Sequence, residues 1–135
     1  MPHAWFVSGA EGIGKATLGF RFTRYLLANP PGVSVADGGL FASDDIPTDG
    51  IGSLHMNAED PIFRRVAAAG HGDVLTVERQ VNDSGKLSQQ IRIDDVRQAI
   101  DFAHMTSSEG GYKVLIVDGA ELLNRAPENA FLKIL

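Results

Sequence analysis

Gly9-Ala10-Glu11-Gly12-Ile13-Gly14-Lys15-Ala16-Thr17 decides the fold class. It follows His3-Ala4-Trp5-Phe6-Val7-Ser8, a short apolar run ending at glycine that predicts a buried strand. Beyond it, Leu18, Phe22, Tyr25 and Leu26 recur at helical spacing, predicting a helix over 15–28 stopped by Asn29-Pro30-Pro31. Strand, glycine-rich loop and helix form the context in which backbone N–H groups and a helix N-terminus cradle phosphate oxygens. Lys15 is spaced to reach the outer phosphates. The residue after that lysine is ordinarily Ser or Thr, whose hydroxyl ligates magnesium; here it is Ala16. Thr17 lies about 100° further around the helix and is a poor substitute. The candidate nucleotide-binding residues are Gly9, Gly12, Ile13, Gly14, Lys15, Ala16 and Thr17. The competing reading is a glycine-rich strand-to-helix turn that holds no ligand.

A second signal stands near the other end. Tyr112 to Val117 reads as a buried strand, and Asp118 closes it. Downstream of a phosphate loop, Val114-Leu115-Ile116-Val117-Asp118 reads as a Walker B strand with its magnesium-side carboxylate, so Asp118 joins the candidate site. The alternative role for Asp118 is to cap the turn after the strand. Active ATPases of the wider class follow this Asp with a Glu that polarises the attacking water. Here Gly119 follows, and Glu121, three positions from Asp118, has no reason to face a phosphate.

Between these signals the chain alternates helix and strand. Residues 32–58, rich in Gly, Ser, Asp and Ala, read as a long flexible loop. Pro61 opens a short helix through Ala69, ended by Gly70. Val74-Leu75-Thr76-Val77 is a strand, and Asn82-Asp83-Ser84-Gly85 a turn that makes Leu87 to Ile93 a hairpin arm or edge strand. Asp94 is the expected N-cap of a helix through His104, with Val96, Ile100 and Ala103 as its buried stripe and Asp95 suiting the helix dipole. Ser107-Ser108-Glu109-Gly110-Gly111 is a loop, and Ala126 to Leu135 begins another helix.

Composition narrows the functions open to such a chain. Its 135 residues, 44% apolar, suit one domain with a single core. A net charge of -5 argues against a broad basic surface gripping nucleic acid. The absence of cysteine removes disulfides and Cys-based zinc or redox centres and suits a cytoplasmic protein. No apolar run approaches membrane-spanning length, and the N-terminus lacks a secretory pattern. His3, His55, His71 and His104 are scattered without metal-ligand spacing. Arg64-Arg65 reads as a solvated helix face rather than a DNA contact, and Trp5 as core rather than a base platform.

Taken in order, "HAWFVSGAEGIGKATL", "HGDVLTVER", "IRIDDVRQAIDF" and "GGYKVLIVDGAELLNRAPENAFLKIL" resemble the delta-prime family of bacterial DNA polymerase III clamp-loader subunits, within the AAA+ superfamily. The pairing of "VDGAELLNR" with "NAFLKIL" is the most specific part. The resemblance implies an α/β, three-layer P-loop NTPase fold of AAA+ type with a parallel sheet, incomplete at the C-terminus. It implies one partial P-loop domain over 1–135, with the flexible insertion at about 32–58. Many relatives carry a four-cysteine zinc module there; this chain has no cysteine, so no zinc is expected. The family's arginine-finger segment lies beyond Leu135, and no residue here takes that role. In the family's sheet order, a strand following the last helix lies between the strands expected at 3–8 and 112–117. The implied function is a non-catalytic subunit that works with other clamp-loader subunits to load the sliding clamp onto primed DNA. Weak ATP or phosphate binding is the most that is expected of its loop. The alternative is an active ATPase motor subunit of a clamp loader or another AAA+ machine, which Lys15 and Asp118 would favour and Ala16 and Gly119 oppose.

Overall fold

Two β-branched, apolar runs form the sheet of the computed structural model, which describes residues 3–32, 54–123 and 129. β1 (Val74–Val77) and β2 (Val114–Val117) pair in parallel, Val74 opposite Val114 and Val77 opposite Val117. The Asp118 N–H extends the ladder by donating to the Val77 carbonyl at 2.9 Å. Parallel neighbours need a crossover, and residues 78–113 supply it. Three helices are described: α1 (Lys15–Ala28), α2 (Pro61–Ala67) and, within the crossover, α3 (Ile93–His104).

Side-chain alternation sends the two faces of the sheet to different helices. Leu75 and Val77 of β1, with Leu115 and Val117 of β2, pack into a cluster with Ile91, Val96, Ala99 and Ile100. That cluster is the core, and Val96 and Ala99 are fully buried at its centre. Thr76, of opposite parity, instead lines a cavity with Thr17, Phe20 and Arg24 of α1 and Val66 of α2. Helix α1 also packs on α2 and β2. A small parallel sheet thus carries helices on both faces.

Local chemistry accounts for the helix ends. Asp60 caps α2, its carboxylate accepting the Ile62 N–H at 2.7 Å, and Pro61 occupies the first helical position, where no N–H is needed. α2 ends at Ala67, two residues before the expected Ala69, because Ala69 takes a positive φ of 52° and turns the chain into Gly70. α3 begins at Ile93 with Arg92 as its cap residue, so Asp94 lies in the first turn instead of capping it. There Asp94 pairs with Arg97 at 3.2 Å. The buried stripe of α3 is Val96 and Ala99 with Ile100 beside them, and Ala103 is exposed. Between Val81 and Leu87 a single antiparallel bridge spans the Asn82–Lys86 turn; no extended edge strand follows.

The largest departure is at the start of the chain. Residues 3–8 form no strand, and Trp5, Phe6 and Val7 are 62%, 85% and 46% exposed. A strand needs a neighbour for its N–H and C=O groups. Among the described residues β1 and β2 pair only with each other. Trp5 therefore is not core; its ring meets Phe22 edge-on at 5.8 Å on the outside of α1. Leu18 and Tyr25 of the expected α1 stripe are also partly exposed. Most of the stretch expected as a flexible loop, residues 33–53, and most of the expected last helix lie outside the described residues. No helix among the described residues is long and apolar enough to cross a membrane.

Candidate functional site

The glycine loop has a conformation that only its glycines reach without strain. Gly12 and Gly14 have φ of 77° and 98°, in the left-handed region that costs an L-residue about 1–2 kcal/mol. Gly14 is also the residue from which α1 starts, and no side chain caps that helix. Its first intrahelical bond runs from the Leu18 N–H to the Gly14 carbonyl at 2.9 Å. The N–H groups of Lys15, Ala16 and Thr17 thus precede the hydrogen-bonded ladder, and no acidic side chain sits in the first turn. Lys15 folds back over the loop, its ammonium donating to the carbonyls of Gly9 and Ala10, both at 2.8 Å. Ile13 donates its N–H to Ala10 at 3.4 Å and leaves its side chain exposed. A positively polarised helix end and an ammonium therefore lie together on an exposed loop.

The partners that would complete a magnesium site are arranged less favourably. Ala16 has no hydroxyl. Thr17 borders the cavity shared with Phe20, Arg24 and Val66, around the helix from position 16. Asp118 is exposed at the end of β2, the strand on which α1 packs; among the described residues no hydrogen bond or ion pair ties it to the loop. Gly119 has φ of 84°, and a Cβ placed on it would meet Leu122 Cδ1 at 3.0 Å. The position after the strand carboxylate is thus built as a turn into the short 3-10 segment Ala120–Leu122.

A polar cluster that sequence reasoning missed lies at the opposite end of the two strands. Asp73, 1% exposed, precedes β1. Its carboxylate accepts the Ser107 hydroxyl at 2.8 Å, the Ser108 N–H at 2.7 Å and the Glu109 N–H at 3.1 Å. Lys113 Nζ lies 3.5 Å away. Burial works to raise the Asp73 pKa, but the hydrogen bonds from Ser108, Ser107 and Glu109 outweigh it and hold the group well below the usual carboxylate range. His71, buried beside it, accepts the Asp73 N–H on Nδ1 at 3.2 Å and turns Nε2 toward Glu109 at 3.8 Å. Glu109 also pairs with Arg65, whose hydrogen bond is the main cause of its lowered pKa. Parallel strands start at the same end of the sheet, so an Asp before one and a Ser-Ser-Glu loop before the other were the signal available in the sequence. Arg64 pairs with Glu59, so both members of the basic pair have acidic partners.

Residues 54–135 match the family described as DNA polymerase III, delta subunit. The chain belongs to this family. It is also similar to a protein of Pseudomonas aeruginosa named DNA polymerase III subunit delta', with 29% identity over 133 residues. That alignment covers 98% of this chain and 33% of the relative, so the chain spans about a third of the relative's length. The family match begins at Leu54, so the glycine loop lies outside it, whereas the β1–α3–β2 unit and the Asp73 cluster lie within it.

Proposed function

We propose that this chain serves as a non-catalytic, delta-prime-type part of a bacterial clamp loader, contributing structure to the loading of the sliding clamp on primed DNA. Its partners on this reading are the other clamp-loader subunits, with clamp and DNA met through the assembly, and its frame is a P-loop domain of AAA+ type. The observation that carries the non-catalytic reading is the pair Ala16 and Gly119. Hydrolysis needs a hydroxyl on magnesium at the first position and a water-polarising carboxylate at the second, and both are missing. Losing both removes several kcal/mol of transition-state stabilisation. Gly119 is supported further by its backbone: a glutamate there would be strained at φ 84° and crowded by Leu122.

The residues of the loop fit a phosphate better than they fit a metal–nucleotide complex. Three N–H groups at the start of α1 and the Lys15 ammonium favour an anion, while Ala16, beside that lysine, offers a magnesium ion no hydroxyl. Gly9, Gly12, Ile13 and Gly14 shape the loop, Lys15, Ala16 and Thr17 supply the first-turn amides, and Asp118 keeps a Walker B position without the rest of the apparatus. Titration with labelled ATP, with and without magnesium, tests this reading. Weak binding that magnesium does not strengthen and that Lys15→Ala reduces is expected. Tight, magnesium-dependent binding would favour a working ATPase site.

A further inference from the structure

Arg21 and Arg24 stand three residues apart on α1, hence on neighbouring positions of one face. Both line a cavity of about 230 Å³ together with Leu54, His55, Met56 and Phe63. Arg24 also borders the larger cavity of about 470 Å³, which Glu78 lines as well. Phe63 lies under the Arg24 guanidinium, 4.4 Å from its carbon to the ring centroid, and so limits the plane the group can adopt. The Arg24 Nε is buried and has no hydrogen-bond partner among the described residues. A buried donor left in this state costs free energy that an acceptor would recover. Burial first, and then the charge of Arg21, push the Arg24 pKa below its ordinary value. Among the described residues neither arginine makes an ion pair with a carboxylate.

We propose that Arg21 and Arg24 form a phosphate-binding site in the smaller cavity, separate from the glycine loop. Among the described residues the smaller cavity has no acidic residue in its lining, whereas Glu78 would repel an anion in the larger one. Two guanidinium groups present more N–H donors than the two oxygens of a carboxylate can take up, and a phosphate group offers more acceptor oxygens in a geometry that suits paired arginines. Arg24, nine residues after Lys15, lies about 13 Å along α1 and on its opposite face, while the Lys15 ammonium is held on the Gly9 and Ala10 carbonyls, so the two sites are separate. The group bound is a phosphate, carried either by a small molecule or by a DNA backbone.

Arginine Nε–H resonances of the whole chain read this site directly, and the Gly12 and Gly14 amides read the loop separately. Inorganic phosphate is titrated against chloride at constant ionic strength, followed by a short single-stranded oligonucleotide. The expected result is a saturable shift of the Arg24 Nε–H resonance, weakened about tenfold in Arg21→Gln by loss of a charge-assisted hydrogen bond. Val96 and Ala99 amides that hold their positions in the variant show that its fold is intact. Saturation by free phosphate alone assigns a small-molecule phosphate, and saturation by the oligonucleotide at far lower concentration assigns a backbone phosphate; either supports the site. An Arg24 resonance that responds to neither probe, or a folded Arg21→Gln chain that binds as tightly as the parent, overturns it.

Discussion

Replacing Asp73 with alanine takes one carboxylate from the start of β1 and leaves four donors facing a gap. Three are hydrogen bonds of 2.7–3.1 Å from Ser107, Ser108 and Glu109, and the fourth is the Lys113 ammonium at 3.5 Å. Hydrogen bonds to a charged acceptor are worth about 1.5–3 kcal/mol each, but burying the carboxylate takes back several kcal/mol of that sum. Removing one member of a buried charged network costs about 3–5 kcal/mol, because the remaining groups stay desolvated. The expected loss for Asp73→Ala is therefore about 3–5 kcal/mol, a large share of the 5–15 kcal/mol typical of a domain. Asp73→Asn keeps an acceptor oxygen and should lose about 1–3 kcal/mol. The pH dependence has a definite sign. The folded-state pKa is depressed, so the stabilisation is complete above the unfolded value near 3.9 and is lost as pH falls from there toward the folded value. Urea unfolding followed by circular dichroism at pH 7 and at steps below pH 4 measures both effects. The gap between parent and Asp73→Asn should narrow across the acid steps. A loss under about 1 kcal/mol for Asp73→Ala at pH 7 would refute the view that this carboxylate pins the 107–109 loop to the sheet.

Val96→Ala, at the centre of the core, should cost about 2–3 kcal/mol from the lost methyl groups and the cavity they leave, read as a lowered urea midpoint with unchanged slope. Gly14→Ala should cost about 1–2 kcal/mol by the same measurement, since φ of 98° strains any side chain, and should weaken phosphate binding at the loop. The double variant Ala16→Thr with Gly119→Glu restores both missing residue types, but a glutamate held in the left-handed turn at 119 is not placed to polarise a water, so a phosphate-release assay should show no ATP turnover. It should also unfold about 1–2 kcal/mol more readily because position 119 is a left-handed turn against Leu122.

The parts of the fold legible in the sequence are those that a short window determines. Helix α1 is visible from its 3.6-residue spacing and its Pro-Pro stop, α2 from Pro61, and β1 and β2 from their apolar runs. Ends slipped where a cap competes with its neighbours, as at Asp94, which the chain uses inside the first turn of α3. The segment His3–Ser8 has a strand's composition, but strand formation depends on a pairing neighbour, and no window of six residues contains that information. The candidate loop was legible because glycine spacing encodes backbone geometry locally. The Asp73 network and the Arg21–Arg24 pair were not. The first joins residues 34 to 36 positions apart, and the second acquires its meaning from Phe63 and residues 54–56 folded against α1.

The central claim is that the loop retains a phosphate-binding shape without the chemistry of hydrolysis. ATP turnover by this chain, measured alone and after assembly with bacterial clamp-loader subunits, tests it most directly. Comparing each with its Lys15→Ala counterpart isolates the contribution of this loop from that of any partner. The account predicts no turnover by the chain alone and no change in the assembly's rate that can be traced to hydrolysis at this loop. Turnover by the isolated chain at the rate of an ordinary ATPase, abolished by Lys15→Ala, would contradict it.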